Sequence, residues 1–327
     1  MRTWVLRQSP GAYEWGEVPD PVPGPDDVVV RPVASALNHM DLWVTRGLPR
    51  PAVPHVAGGD VAGVVEEVGP LVQDVRAGQE VVVNPAVSCR RCPACLAGES
   101  PLCGHFGILG EHRWGGHAPL VVVPAANVLP RPAGRSWEEC AAYPLATLTA
   151  WRMLRRARLR AGETLLVVGV GGGVSAAGLA LGVAMGARVF ATSRTEDKRR
   201  RARELGAEDA FDSGQDFPVR ADVVFENVGA ATWERSLRAL TPGGRLVTCG
   251  GTAGSKVEIS LPRLFFKQHE IIGSTMGSYG EFAEVTALVA QGLPVFIDEV
   301  VPGLSAFPEA LQRLEAGEQL GKLVIRH

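Results

Sequence analysis

Short apolar runs, each ended after a few positions by proline or glycine, dominate the first part of the chain. They lie at residues 28–30, 61–68, 80–83 and 120–123. Apolar runs bounded by turn-forming residues are typical of β-strands, and a close succession of such strands is typical of a small barrel. We therefore predict a β-rich domain over residues 1–146.

The pattern changes at about residue 147, where apolar strand-like runs begin to alternate with helical periodicity. The predicted strands are residues 164–170, 187–192, 222–228, 245–249 and 270–274. The predicted helices between them are residues 175–185, 195–205 and 232–240. Strands that alternate with helices indicate βαβ units and a parallel sheet. After residue 274 we predict helices at 281–291 and 308–316 and a last strand at 322–325.

The composition and net charge of the chain argue against nucleic-acid binding and membrane association. The chain has 327 residues, of which 46% are hydrophobic, enough for two domains with cores of their own. Its 33 basic and 35 acidic residues give a net charge of -2, which offers no field to attract nucleic acid or an acidic membrane. No apolar run reaches the ~20 residues of a membrane span, and the first residues do not resemble a targeting peptide. We expect a cytoplasmic enzyme with a small-molecule substrate.

A glycine-rich turn joins the strand 164–170 to the following helix. Its residues are Gly169, Gly171, Gly172, Gly173 and Val174, followed by the small Ser175. Glycines let the backbone approach a pyrophosphate, and the N–H groups at the helix start attract its charge. A glycine triplet alone also fits an ordinary turn, but the next strand ends where a dinucleotide site needs its ribose-binding residue. We predict a nicotinamide dinucleotide site.

The residues at the end of that next strand indicate which dinucleotide binds. They are Ser193 and Arg194, with Lys198 nearby, where an NAD site would carry Asp or Glu. A hydroxyl and a guanidinium suit the 2′-phosphate of NADP. The alternative is that Arg194 belongs only to the solvated basic face 198–203. We predict NADP, with NAD as the less favoured cofactor.

Four of the six cysteines are closely spaced. Cys89, Cys92, Cys95 and Cys103 follow the pattern C-x2-C-x2-C-x7-C, and four thiolates can enclose one Zn²⁺ without leaving a position for substrate. The pattern therefore predicts one structural zinc per chain. Disulfide bonds are the competing interpretation, and they fit a cytoplasmic chain poorly. Cys140 and Cys249 stand alone and are predicted to be small core residues.

These motifs together resemble the medium-chain dehydrogenase/reductase superfamily. The resemblance rests on the segment 53–69, the four-cysteine lobe, the glycine turn and the segment 273–277. It is closest to the branch of zinc-type alcohol dehydrogenases and quinone oxidoreductases. It implies an α/β protein with a GroES-like β-barrel catalytic domain over residues 1–146, completed by 275–327. It also implies a Rossmann domain with a doubly wound parallel sheet over 147–274, and a homodimer or homotetramer.

The zinc alcohol dehydrogenases of this family hold a catalytic zinc with a cysteine, a histidine and a second cysteine. By the surrounding motifs, the matching positions here are Asn38, Gly59 and Leu145. None of these side chains supplies the thiolate or imidazole that the family uses, so the usual catalytic zinc site cannot form. Zinc-free members resemble this chain in having asparagine at the first of these positions.

By the same resemblance we expect a catalytic group at residues 38–41. Asn38 is expected to contact substrate or nicotinamide, Asp41 to orient its neighbours, and His39 to donate a proton or contact the pyrophosphate. Bulk water is the alternative proton source. The remaining expected cofactor contacts are Thr149, Gly250, Thr252, Ser274 and Thr275.

Three functions remain open. The first is NADPH-dependent reduction of a quinone or an α,β-unsaturated carbonyl, for which hydrogen-bond donors suffice to stabilise the enolate. The second is an alcohol dehydrogenase whose metal is held by other residues, with His39, His55, Asp41 and Asp60 as candidates. The third is a non-catalytic NADPH-binding protein.

Overall fold

The computed structural model describes residues 1–327. The strands, numbered in chain order, are β1 Arg2–Leu6, β2 Tyr13–Glu17, β3 Asp27–Ala36, β4 Asp60–Val68, β5 Glu80–Val83, β6 Ala86–Val87, β7 Gly107–Ile108, β8 Val121–Pro124, β9 Val128–Pro130, β10 Thr164–Val167, β11 Arg188–Ser193, β12 Asp209–Asp212, β13 Ala221–Glu226, β14 Leu240–Thr248, β15 Glu270–Gly273, β16 Ile297–Pro302 and β17 Lys322–Arg326.

The α-helices are numbered in the same way. They are α1 His39–Trp43, α2 Pro93–Leu96, α3 Trp137–Ala142, α4 Pro144–Arg156, α5 Gly173–Ala184, α6 Glu196–Glu204, α7 Trp233–Ala239, α8 Leu261–Phe266, α9 Tyr279–Ala290 and α10 Phe307–Ala316. Single 3₁₀ turns lie at Val44–Arg46, Ser100–Leu102, Ala125–Asn127 and Leu304–Ala306. No helix combines the length and the hydropathy that a membrane span requires.

The chain divides into two compact units. The first unit comprises Met1–Leu145 and Gly277–His327, and the second comprises Ala146–Met276. The last part of the chain therefore returns to the first unit.

The first unit is built on a seven-stranded sheet. Its strands follow the order β16-β17-β3-β4-β5-β9, and β8 also pairs with β3. All pairs are antiparallel except β16 with β17. Valines that alternate along β3, β4 and β5 point into one core, which includes Val28, Val30, Val61, Val65 and Val81. β-Branched side chains favour this extended backbone because they pack well on a pleated surface, so the short valine runs form the β-rich domain that the sequence predicts.

The second unit is a six-stranded parallel sheet with the order β12-β11-β10-β13-β14-β15. The order reverses between β10 and β13, which makes the sheet doubly wound. Helix α5 packs closely against it: a Cβ at Gly178 would lie 3.0 Å from the Phe225 ring, and one at Gly182 would lie 2.5 Å from Leu165 Cδ2. The two glycines face the same way because they are four residues apart on the helix.

Each of the five predicted strands of this sheet overlaps an observed strand. The first ends early, at Val167, because Gly169 adopts a φ of +74° and turns the chain. The third ends at Glu226 because its own carboxylate accepts the N–H groups of Val228 and Gly229 and bends the backbone there. The predicted α/β class with a doubly wound parallel sheet is confirmed.

Candidate active site and cofactor site

The glycine turn after β10 is held by the neighbouring strand. Gly169 N donates to Thr192 Oγ1 at 3.0 Å, and Val170 N donates to Thr192 O at 2.7 Å. A Cβ at Gly169 would lie 2.5 Å from Val228 Cγ2, in the loop after β13. The positive φ and this close approach both require glycine. The loops after β10 and β13 therefore meet where the strand order reverses, which is where α/β sheets bind ligands.

The start of helix α5 is open to an anion. Gly172 is its N-cap residue, no side chain caps the helix, and its first turn contains no acidic residue. The first N–H groups of a helix have no partner within it and carry its positive partial charge. Ser175 Oγ donates to Gly169 O at 2.9 Å and fixes the turn against the helix. Gly171, Gly172, Gly173 and Val174 thus form a backbone cradle that suits a pyrophosphate.

The other expected cofactor residues of the sheet lie at the same edge, since the carboxyl ends of parallel strands coincide. Ser193 is the last residue of β11 and Arg194 follows it, Gly250 and Thr252 follow β14, and Ser274 and Thr275 follow β15. The remaining one, Thr149, is buried in α4, and its Oγ1 lies 3.6 Å from Met276 Sδ.

The basic residues after β11 differ in their partners. Helix α6 pairs Arg199, Arg200 and Arg203 with nearby carboxylates. Lys198 also makes a contact. Arg194, by contrast, is exposed and its guanidinium has no protein partner. Arg194 is therefore distinct from the paired basic face, and it can bind an added anion without giving up an ion pair.

A buried carboxylate that the sequence did not point to shapes the loop after β13. Glu226 is fully buried and accepts four hydrogen bonds, from Val228 N, Gly229 N, Thr232 Oγ1 and Ser236 Oγ, at 2.6–3.0 Å. The charge is satisfied by these donors. Glu226 thereby holds the loop whose Val228 packs against the glycine turn.

The four cysteines Cys89, Cys92, Cys95 and Cys103 form one cluster. Their Sγ atoms all lie within 4.8 Å of one another. Cys89 Sγ lies 3.5 Å from Cys103 Sγ and 4.0 Å from Cys95 Sγ. A tetrahedral zinc with Zn–S bonds of about 2.3 Å separates its sulfurs by about 3.8 Å, so the cluster fits that ion. Backbone N–H groups of Arg91 and Cys92 lower the pKa of Cys89 to about 6, which favours the thiolate that zinc binds.

In the first unit, the expected catalytic residues lie at the start of α1. Asn38 is its N-cap residue, and the Asp41 side chain accepts from Asn38 N at 2.7 Å. Asp41 is fully buried and also accepts from Gly58 N at 3.2 Å. The Nε2 atom of buried His117 lies 3.6 Å from Asp41 Oδ2. Asp41 thus fixes the backbone around Asn38, consistent with an orienting position.

A lysine from the other end of the chain completes this cluster. Lys322 Nζ donates to Asn38 Oδ1 at 2.6 Å and to Asp60 Oδ2 at 2.8 Å. Asn38 Nδ2 donates to the same Asp60 oxygen at 2.9 Å, and Leu145 N donates to Asp60 Oδ1 at 2.7 Å. The Lys322 side chain is 5% exposed and that of Asp60 is 0% exposed. The buried Lys322–Asp60 ion pair is therefore hydrogen-bonded to Asn38 and to the backbone of Leu145, two of the three positions that the resemblance matches to zinc ligands.

The remaining position, Gly59, carries no side chain and has little space for one. A Cβ there would lie 2.9 Å from Met40 Cε, 3.0 Å from Leu109 O and 3.2 Å from Leu145 Cδ1. No set of three or more His, Cys, Asp or Glu side chains with metal-binding spacing occurs outside the four cysteines. Of the other candidate ligands, His55 directs Nε2 to Gly110 O at 2.9 Å. The residues present therefore do not fit a catalytic zinc.

His39 is half-buried beside Trp43, with ring centroids 6.4 Å apart, and its ring has no hydrogen bond to protein. Burial lowers its pKa below the ordinary 6.5, and the Lys322 charge lowers it further. Glu111, which was absent from the sequence-based set, has a pKa shifted in the opposite direction. Burial and then the Asp41 carboxylate raise the pKa of Glu111 to about 7, so a large share of this carboxyl is protonated at neutral pH.

The lowered pKa of His39 gives a testable expectation. We expect the His39 imidazole to be neutral at pH 7 and to titrate below 6.5, because the folded protein disfavours its charge. The unfolded chain then binds the proton more readily, so His39 opposes folding as the pH falls below 6.5. Titration of the ring resonances by NMR, assigned with His39→Gln, measures this directly. A midpoint at or above 6.5 would contradict the environment described.

Both units are similar to known protein families. Residues 24–133 match the family described as “Alcohol dehydrogenase GroES-like domain”, and residues 173–291 match the family “Zinc-binding dehydrogenase”. The acryloyl-coenzyme A reductase of Metallosphaera sedula is 30% identical over 335 residues, which cover 99% of each chain.

Solved structures show the same similarity. A structure described as an NAD-dependent alcohol dehydrogenase has a TM-score of 0.94 and 40% identity, with 100% of both chains covered. The 2-octenoyl-CoA carboxylase reductase CinF, solved with NADP and 2-octenoyl-CoA, has a TM-score of 0.92 and 27% identity, over 99% of this chain and 87% of that one. The similarity extends over both units.

Proposed function

Since the chain belongs to the medium-chain dehydrogenase/reductase superfamily and is an oxidoreductase of that type, we propose that it transfers hydride from NADPH to the conjugated C=C bond of an α,β-unsaturated carbonyl compound or to a quinone. The observation that carries the proposal is that Asn38, Gly59 and Leu145, at the positions that match the three zinc ligands, supply neither a thiolate nor an imidazole, and that no other cluster of ligand side chains occurs outside the four cysteines. Alcohol oxidation requires a group that stabilises the alkoxide, which in the zinc enzymes is the catalytic metal acting as a Lewis acid.

Reduction of a conjugated bond makes smaller demands on the protein. NADPH, when bound, supplies the hydride. The developing enolate oxygen then requires only fixed hydrogen-bond donors, and the first unit holds its polar side chains in fixed positions. Asp41 orients the backbone of Asn38, and Asp60 orients the Asn38 carboxamide. The proton that adds to the α-carbon can come from solvent.

Two of the similar proteins support an unsaturated thioester as substrate. One is named an acryloyl-coenzyme A reductase, and the other was solved with NADP and 2-octenoyl-CoA. An enoyl thioester is an α,β-unsaturated carbonyl compound, so these names agree with the proposed chemistry. The proposal extends that substrate class to this chain.

The experiment that tests the function is a screen of NADPH oxidation. Quinones, enones, enoyl thioesters, aldehydes and alcohols are compared with the same protein, whose zinc content is measured. We expect turnover of at least one conjugated substrate by protein that contains one zinc per chain. Turnover confined to alcohols and aldehydes would refute the proposal, and tight NADPH binding without any turnover would indicate a non-catalytic protein.

An alcohol dehydrogenase is the second candidate, since one structure with that description is 40% identical to this chain. It predicts alcohol oxidation that depends on a second bound metal. The absence of a second cluster of ligand side chains disfavours it. Metal analysis decides between the two, because the alcohol dehydrogenase requires more than one zinc per chain.

We propose NADP rather than NAD because Arg194 is unpaired at the ribose end of the site. We expect Arg194→Ala to weaken NADPH binding by about 10- to 100-fold, since hydrogen bonds to a charged group contribute about 1.5–3 kcal/mol. NADH binding should change little. Fluorescence titration with both cofactors measures this effect. Arg200→Ala is the matched control, because Arg200 is paired with Asp197 and Glu204. Equal or tighter binding of NADH by the wild-type protein would contradict the assignment.

A further inference from the structure

We propose that the second unit binds a phosphate monoester of a small organic molecule in a pocket separate from the cofactor residues. The pocket has a volume of about 360 Å³, a size typical of small-molecule sites. It lies between the segment 216–220, which precedes β13, and Arg235, Arg238 and Ala239 of helix α7. Binding at this pocket goes beyond the proposed reaction and does not depend on it.

The pocket lies at the opposite edge of the parallel sheet from the cofactor residues. Arg220 directly precedes β13, and Ala239 directly precedes β14, so both lie at the amino ends of these strands. The glycine turn and Arg194 follow the carboxyl ends of β10 and β11. Because β13 has six residues, the two edges are separated by about 17 Å. A ligand in this pocket therefore does not compete with the dinucleotide.

Two of the three arginines that line the pocket have no carboxylate partner. Arg238 Nη2 pairs with Asp216 Oδ1 at 3.0 Å, which balances one charge. Arg220 donates only to the backbone carbonyl of Arg238, and Arg235 Nη2 donates to Ala231 O at 2.6 Å. Three arginines and one aspartate leave the lining with a net charge of +2. The pocket therefore attracts anions.

Arg235 also carries a buried hydrogen-bond donor that the fold leaves unused. Its Nε atom is buried and has no hydrogen-bond partner, although the residue is only partly buried as a whole. A buried donor of a charged group without an acceptor is costly, and such donors are rare in folded proteins. The arginines Arg199, Arg200 and Arg203 of α6, by contrast, are all paired with carboxylates. An anion in the pocket supplies the acceptor that Arg235 lacks.

The charge and the apolar wall of the pocket together indicate the class of ligand. A phosphate monoester carries up to two negative charges at neutral pH, which balance the two unpaired guanidinium groups, and its oxygens match the fork of an arginine. The wall opposite the arginines contains Phe217, Pro218 and Val219. Phe217 and Val219 pack against the core of the unit, so they offer a fixed apolar surface to the organic part of the ligand.

The test is a calorimetric titration of the full chain saturated with NADPH, so that the cofactor site is already occupied. The probes are phenyl phosphate, phenyl sulfate, which has the same ring and one charge, and inorganic phosphate, which has no ring. Arg220→Ala and Arg235→Ala each remove one unpaired guanidinium. Arg156→Ala is the matched control, because it removes an exposed arginine of the same unit outside the pocket. Melting temperatures verify that each variant is folded.

We expect one phenyl phosphate to bind per chain, with an affinity that falls about 10- to 100-fold in Arg220→Ala and in Arg235→Ala. Arg156→Ala should bind it like the wild type, and all variants should keep their NADPH affinity. Phenyl sulfate and inorganic phosphate should bind more weakly.

No binding of phenyl phosphate, or binding that both pocket variants retain, would overturn the assignment of the site. Equal affinity for inorganic phosphate and phenyl phosphate would overturn the assignment of an organic ligand. Since the titration contains no substrate, either result leaves the proposed reaction untouched, and a protein without turnover still tests the pocket.

Discussion

Gly172→Asp should abolish productive cofactor binding while leaving the fold intact or slightly more stable. Gly172 is the N-cap residue of α5, its φ of -78° and ψ of 163° suit any residue, and no side chain caps the helix. Aspartate is a favoured N-cap residue because its carboxylate accepts a first-turn N–H group. The same carboxylate would occupy the place of the pyrophosphate. Two negative charges about 4 Å apart near a protein surface repel by roughly 4 kcal/mol.

We therefore expect NADPH affinity to fall by at least about 100-fold, measured by fluorescence titration, with an unchanged or higher melting temperature. Gly172→Asn is the matched control: it has the same size and caps the helix without a charge, so its effect on affinity should be much smaller. Equal losses in the two variants would indicate a steric effect. Unchanged affinity in Gly172→Asp would show that the phosphates bind elsewhere.

Cys103→Ser should remove the metal from the four-cysteine cluster and destabilise the first unit. Cys103 is 6% exposed, and the segment from Cys89 to Cys103 contains only short helical turns. Such a lobe buries little apolar surface of its own, so its order depends on the crosslink that a zinc ion provides. Zinc binding contributes on the order of 10 kcal/mol or more to small zinc-dependent folds.

Metal analysis should give one zinc per chain in the wild-type protein and almost none in Cys103→Ser, with a lower melting temperature. NADPH affinity should be retained, because the glycine turn and Arg194 belong to the second unit. Cys140→Ala is the control, since Cys140 lies outside the cluster and should leave the zinc content unchanged. A wild-type protein without zinc, purified in the absence of chelator, would contradict the assignment.

Local patterns predicted the parts of the molecule that local chemistry determines. The strand, the glycine turn and the helix around Gly169 follow each other directly, and the four cysteines lie within a short segment. The predicted end of a strand was less accurate where a side chain hydrogen-bonds to the backbone. At Glu226, the carboxylate accepts the N–H groups of Val228 and Gly229 and ends β13. No pattern of apolar residues reveals such a contact.

The polar cluster of the first unit could not be predicted in the same way. Lys322 and Asn38 are 284 residues apart in sequence and meet only because β17 pairs with β3. At the start of an apolar strand, a lysine is normally expected at the surface. The only feature of the sequence that distinguished Lys322 was the scarcity of lysine. The chain has four lysines, Lys198, Lys256, Lys267 and Lys322. Glu111 likewise acquires its raised pKa only through burial near Asp41.

The position of transferred deuterium tests the central claim most directly. NADPH that carries deuterium at the transferring position of its nicotinamide is incubated with crotonyl-CoA and with a simple aldehyde, using protein of known zinc content. We predict butyryl-CoA with one deuterium on the β-carbon and none on the α-carbon, formed by protein with a single zinc per chain. Deuterium found only on the carbonyl carbon of the alcohol product, with crotonyl-CoA and every other conjugated substrate unchanged, would contradict the account.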